Sequence, residues 1–268
     1  MKKYRVYIAL LVVIAIISSC QKVINIDLNS VNPAIIIVGN INDQPGPYSV
    51  TLSQTVNFSD PNTFPPIDGA FVTIADNAGT IDTLAETTKA GTYNTKKIVG
   101  IPGRTYTLTV NANGQTYQSV STMPQPINFD TLYIYAHLSF FSKGGPPDTV
   151  YTPLVEFQDP GNSLNYFRFI ETKNDTLLTN VMTSDDQFSS GKMVYYPIRS
   201  EGHPVLVGDS IKVEMQCIDK GTYQYLSTLG EASGSTNVTP SNPVSNISNN
   251  ALGYFSAHTS RYKVAKIN

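Results

Sequence analysis

Arg104–Ser121 (RTYTLTVNANGQTYQSVS) decides the fold class. Tyr106, Leu108 and Val110 alternate with threonine and so share one face of an extended strand. Asn113-Gly114 follows, a dipeptide that tolerates two successive positive-φ positions and therefore closes a type I′ hairpin. Gln115–Ser121 returns as the partner strand. Period and turn chemistry agree on an antiparallel hairpin in a half-buried sheet.

Working back from this hairpin, short strands recur with turn signals between them. Ala34–Ile41 (AIIIVGNI) is continuously apolar and reads as a central strand, and Tyr48–Leu52 alternates. In Ala70–Ala75, Phe71 and Thr73 fall on one face and Val72 and Ile74 on the other. Thr80–Leu84 and a strand opening at Gly91-Thr92-Tyr93 complete seven strands in about ninety residues, the spacing of an Ig-like β-sandwich over 34–124.

Working forward, Pro124 and Pro126 mark a boundary before a second β-rich domain, 127–268. Its strands are read at Phe129–Leu138, Thr149–Phe157, Asn165–Thr172, Lys192–Ile198 and Asp209–Ile218, with a return at Leu252–Phe255 and Tyr262–Ile267. One short helix is predicted, capped by Asp219, held by Tyr223/Leu226 and Tyr225/Leu229 contacts, and ended by Gly230. The expected class is all-β: a sandwich, then a second β-rich domain with one short helix.

The N-terminus has its own logic. Lys2, Lys3 and Arg5 precede an unbroken apolar run, Val6–Ile17, which is too short for a comfortable membrane span and reads as a secretory signal over 1–19. Ile17-Ser18-Ser19-Cys20 matches the bacterial lipobox, whose cysteine is acylated and becomes the new N-terminus. Residues 20–33 then form a lipidated tether, apolar enough at Val23, Ile24, Ile26 and Leu28 to pair as an edge strand.

Without 1–19 the chain keeps 15 basic against 20 acidic side chains, a net charge of −5. That balance argues against nucleic acid and against electrostatic adhesion to anionic lipid. With Cys20 lipidated only Cys217 remains, which excludes an intrachain disulfide; its position on the apolar side of Asp209–Ile218 makes it a small buried hydrophobe.

No catalytic motif is present. His137, His203 and His258 lack zinc spacing, and there is no G-x-S-x-G elbow, P-loop or G-x-G-x-x-G. No cofactor is expected, and the protein reads as non-enzymatic; an envelope hydrolase would need a polar cluster converging in a deep pocket. Asp159 and Asp185-Asp186 raise a calcium question, but without D-x-D-x-D-G spacing they read as turn residues. Tyr133 and Tyr135 share a strand face and are the candidate ligand face, for a glycan or another ligand; tryptophan, the usual sugar platform, is absent, and tyrosine in a half-buried sheet ordinarily packs with its hydroxyl at the surface. Asp-(Ser/Thr)-aliphatic occurs five times, making Thr83, Thr131, Thr149, Thr176 and Ser210 candidate O-glycosylation sites, since the pattern resembles the acceptor motif of exported Bacteroidota proteins. Strand starts favour the same pattern, a turn residue followed by β-formers.

Several blocks in order carry a family resemblance: VINIDL, AIIIVGNI, GAFVTIADNAGTI with AGTYNTKKIVGIPGRTYTLTVNANGQTYQSVSTMP, then FQDPGNSLNYFRF, SDDQFSSGK, TYQYLSTL and NPVSNISNNALGYFSA. Together they resemble the Bacteroidota lipoprotein family catalogued as domain of unknown function 4249, over nearly the whole mature chain. The middle block is shared with Ig-like and carboxypeptidase-regulatory-like domains. The resemblance implies an outer-membrane lipoprotein, often encoded beside TonB-dependent transporters, and brings no catalytic residues. Gln21-Lys22 is not followed by the acidic run of the surface-export pattern, which leaves both faces of the outer membrane open. The expectation is a lipid-anchored accessory or binding subunit, with such a transporter as the partner the resemblance suggests, or else a glycan- or ligand-binding surface lipoprotein.

Overall fold

In the computed structural model, which describes residues 33–57, 60–139, 148–200, 202–233 and 242–268, the run AIIIVGNI becomes β1 (Ile35–Asn42). The signal segment, Cys20 and the tether as far as residue 32 lie outside the described residues, as does the Gly-Pro turn at 144–147. β1 is central as read: it pairs antiparallel with β2 (Ser49–Gln54) and parallel with the last strand of the chain. Ile35, Ile37, Ile41, Val50 and Leu52 point inward onto a second sheet. That sheet is formed by β3 (Phe71–Asp76), β4 (Ile81–Thr83), β7 (Thr105–Ala112) and β8 (Gln115–Thr122), in the order β4-β3-β7-β8. Short β5 (Ala85–Glu86) and β6 (Thr92–Asn94) extend the first sheet beyond β2. Between Ile37 and Ile41 the inward position is Gly39, where an added Cβ would lie 3.1 Å from the Phe255 ring and 3.2 Å from Val50. The hairpin forms as read: Ala112 pairs with Gln115, with Asn113 and Gly114 at φ 52° and 73°.

The second half builds a three-stranded antiparallel sheet from β9 (Thr131–Ser139), β10 (Asp148–Gln158) and β14 (Met193–Pro197). It packs on β11 (Tyr166–Lys173), β13 (Met182–Asp185) and β15 (Ser210–Ile218), while β12 (Thr176–Leu177) pairs with β11 at the exposed edge. Val155, Phe157, Phe167, Phe169, Val213 and Met215 form this second core, and Cys217 is buried with them. Met123 belongs to the first core and Ile127 and Phe129 to the second, so the Pro124–Pro126 segment does cross between cores.

The C-terminal segment corrects the division at 127–268. Instead of two pieces, Leu252–Phe255 and Tyr262–Ile267, the chain forms one fifteen-residue strand, β16 (Leu252–Lys266). Its first half runs parallel to β1 (Ile36↔Leu252 to Asn42↔His258), and its second half antiparallel to β15 (Cys217↔Thr259 to Ser210↔Lys266). Ile247, Ala251, Phe255 and Ala257 thus sit in the first core, not the second. One nine-stranded sheet results, and the described residues within 33–56 and 60–268 form a single compact unit. Phe255 and Ala257 face the first core, and Cys217, opposite Thr259, faces the second; alternation therefore puts both smaller sheets on the same side of the large one. Side chains complete the ladder where strands run out: the Asn246 amide exchanges two hydrogen bonds with the Phe255 backbone (3.0 and 2.8 Å), and Asp43 accepts from the Ser260 amide at 2.9 Å.

The predicted helix is α1 (Lys220–Ser233), on the other face of the large sheet. Asp219 caps it as expected, accepting from the Thr222 amide at 2.8 Å. Gly230 does not end it; it stays within the helix, which runs three residues further. Leu226 is buried against Ile218 and Tyr254, and Tyr223 and Tyr225 stack near Tyr166 and Tyr254 at 4.8 and 4.9 Å.

Candidate functional site

The sheet β9–β10–β14 turns Val155, Phe157, Val194 and Tyr196 inward, and period-two geometry sends their neighbours outward. An outward face over water ordinarily carries polar residues. Here Tyr133, Leu154 and Pro197 form one cross-strand row, Thr131, Glu156 and Tyr195 the adjacent row, and Tyr135 lies opposite Thr152. Tyr133, Tyr135 and Tyr195 are 46%, 58% and 58% exposed. Rings two positions apart on a strand stand about 7 Å apart, and the next strand but one adds about 10 Å. Tyr135 stacks on His137 (5.7 Å between centroids, 18° between planes). Hydrogen bonding to Glu156 raises the Tyr195 hydroxyl above its ordinary pKa, which keeps it a proton donor. Tyr133 and Tyr135, chosen from sequence, thus lie together on an open face. Tyr195 and Glu156 were missed because they come from strands whose neighbours in space are far apart in the chain; Tyr195-Tyr196 was visible only as two more rings.

Several acids, buried and exposed, are engaged with the backbone. Asp82 Oδ2 accepts three backbone amides, from Lys96, Lys97 and Ile98, at 2.8, 2.7 and 2.9 Å. Asp76 accepts from Ala78 and Thr80 and pairs with Arg104 at 2.6 Å. Asp209, lowered to about 2 chiefly by the Leu206 amide and then Lys173, holds a strand start together with Asn174. Asp130 accepts the Gln158 amide. Three of the five Asp-(Ser/Thr)-aliphatic aspartates, 82, 130 and 209, are therefore engaged with backbone amides, Asp209 within its own turn and the other two across the fold. Beside them, Thr83, Thr149 and Thr176 are exposed, and Thr131 and Ser210 half-buried.

Asp159 and Asp186, from loops 27 residues apart, are brought together by the β11–β13 pairing and share the Asn165 side-chain amide, at 3.4 and 2.7 Å. Asp159 also accepts from the Gly161 and Gly191 amides. Burial, and then the facing Asp159, push the Asp186 carboxyl above its usual value. Asp185 instead accepts from Tyr223, whose hydroxyl burial and that carboxylate raise to about 12. Glu171 is buried against the Ser200 hydroxyl (2.6 and 2.8 Å), and burial raises its pKa. His258, buried beside Ser256, is lowered by burial to about 4; His137 and His203 are exposed. Among the described residues no group of three or more His, Cys, Asp or Glu is placed to hold a metal ion. The chain crossing between the cores leaves a groove of about 660 Å³, lined by Pro124, Pro126, Ile127, Tyr166 and Ile218 among others.

The fold and this face define an all-β protein of two sandwiches that share one long strand, with an open aromatic platform on the second. The chain belongs to the family described as Domain of unknown function (DUF4249), which matches residues 21–263. No curated protein matches the sequence. Among solved structures, a two fibronectin type-III domain segment from chicken tenascin aligns over 88% of this chain and 99% of its own at 10% identity. Its TM-score is 0.24, and a likeness at that level carries no argument.

Proposed function

We propose that this protein is a lipid-anchored component of the bacterial outer membrane, held through Cys20, that acts as a non-enzymatic binding subunit beside a TonB-dependent transporter. The lipobox Ile17–Cys20 supports the anchor. The observation that carries the binding role is the open face bearing Tyr133, Tyr135 and Tyr195, a surface suited to being covered. The carboxylates of Asp76, Asp82 and Asp209 fit the same reading, because each accepts backbone amides. The test is purification from native membranes after palmitate labelling, with Cys20→Ser in parallel. The native chain should carry label and co-elute with a transporter in fixed ratio, and the variant should lose label and leave the membrane fraction. A variant that remains membrane-bound, with neither form labelled, refutes the anchor; a labelled chain that elutes alone refutes the subunit role.

A further inference from the structure

We infer that the outward face of β9, β10 and β14 binds a neutral oligosaccharide, its rings lying along Tyr135, Tyr133 and Tyr195 and its hydroxyls donating to Glu156. The inference rests on the binding role above and names the class of ligand.

Sugar rings present flat C–H faces edged by hydroxyls, so they need flat aromatic surface with a strong acceptor beside it. Both are here. Three half-exposed rings stand on one sheet face, with about 7 Å between Tyr135 and Tyr133 and about 12 Å, on the diagonal, between Tyr133 and Tyr195. Glu156 lies on the middle strand between Tyr195 and the β9 edge, its carboxylate already oriented by the Tyr195 hydroxyl. Leu154 and Pro197 complete the row that Tyr133 begins.

The same residues disfavour other occupants. No Lys or Arg occupies the outward positions of these strands among the described residues, so phosphate-bearing ligands and anionic lipid find no counter-charge. A second copy of the same face would bury the Glu156 carboxylate with no Lys or Arg opposite it.

The probes are maltoheptaose, cellohexaose, xylohexaose and mannohexaose, titrated calorimetrically into the full chain in a detergent without a sugar head group. At least one should bind with a millimolar or tighter Kd (about 4 kcal/mol or more). Tyr133→Ala and Tyr135→Ala should each weaken it about tenfold. Glu156→Gln should weaken it while leaving the circular dichroism spectrum unchanged. Since all these side chains are on the surface, folding is expected to survive, and Phe71→Ala on the other small sheet serves as the control that must not change binding. No binding to any probe overturns the inference, as does binding that the tyrosine variants leave unaltered, or a dimer that the tyrosine variants dissolve. These outcomes are independent of palmitate labelling and transporter co-elution, so the ligand class can fail while the anchored subunit stands.

Discussion

Replacing Asp82 with alanine tests whether the recurrent Asp-Thr pairs are architectural. Asp82 is 1% exposed, and one of its carboxylate oxygens gathers three successive amides of the loop that leads out of β6. A hydrogen bond to a charged group contributes about 1.5–3 kcal/mol. The Ile98 amide is buried and would be left without a partner, whereas Lys96 and Lys97 are exposed residues whose amides can turn to water. Counting one full and two partial losses gives about 3–5 kcal/mol, or about 10 °C in Tm for a chain of this size. Burial alone would raise the Asp82 pKa, but the three amides and the Lys97 charge outweigh it, and the carboxyl is held below its ordinary 3.8. A depressed carboxylate adds stability above its unfolded pKa and loses it as pH falls through the folded value. The gap between wild type and variant should therefore be full at pH 7 and close below about pH 4. Urea unfolding followed by tyrosine fluorescence (the chain has no tryptophan) measures it. A loss under about 1 kcal/mol at pH 7, or a gap that does not narrow in acid, would refute the reasoning.

Three further outcomes are expected. Asp159→Asn keeps an oxygen for the Gly161 and Gly191 amides and offers a donor to Asp186; Asp186 is a raised carboxyl whose stabilising contribution holds below 3.8 and is lost as pH rises through its folded pKa, so the variant should unfold at higher urea than wild type at pH 7 and lose that advantage in acid. Gly253→Ala places a Cβ 2.0 Å from the Ile37 carbonyl at φ 95°, and should destabilise by more than about 3 kcal/mol; because β16 serves both cores, circular dichroism and thiol exposure should fall in one transition. Cys217 is buried with its thiol pKa raised by that burial, so native protein from membranes should be inert to Ellman's reagent and the denatured chain should titrate one thiol; two would mean an unmodified Cys20.

The hairpin at 104–121, the central β1 and the crossing at Pro124–Pro126 were legible because local chemistry and burial agree there: apolar alternation, an Asn-Gly turn, prolines at a change of core. β16 was not legible, for a physical reason. Its middle, Ser256–Ser260, is buried on both faces, yet only Ala257 among those five residues is apolar, and hydrogen bonds accompany the burial: Ala257 N–H meets Ser121, His258 meets Ser256, and Ser260 meets Glu214. A polar stretch of that kind reads as a loop between two strands. β13 escaped for a related reason, since Met182–Asp185 is set by pairing with β11 and not by its own alternation. For the candidate site, strand period gave Tyr133 and Tyr135 their common face, but only the pairing of β10 with β14 places Glu156 and Tyr195 beside them.

The fold also supplies its own comparison for that face. Two smaller sheets lie on the same side of the large sheet, and each turns one side to water. The outward residues of β3, β4, β7 and β8 include Thr73, Thr83, Thr105, Thr107, Thr109 and Thr122. Phe71, Ile81 and Val120 are exposed there too, but Thr73, Ala75 and Thr107 separate them from one another. Scattered apolar residues among threonines are what β-propensity alone produces at a solvated surface. On β9, β10 and β14 the outward apolar residues instead adjoin: Tyr133 beside Leu154 beside Pro197, with Tyr135 and Tyr195 one step away. Equivalent faces of the same architecture thus differ in how their apolar area is arranged, and strand propensity cannot account for the difference. Rings gathered around one carboxylate are the arrangement that the proposed ligand requires, since it has both apolar surface and hydrogen-bond donors.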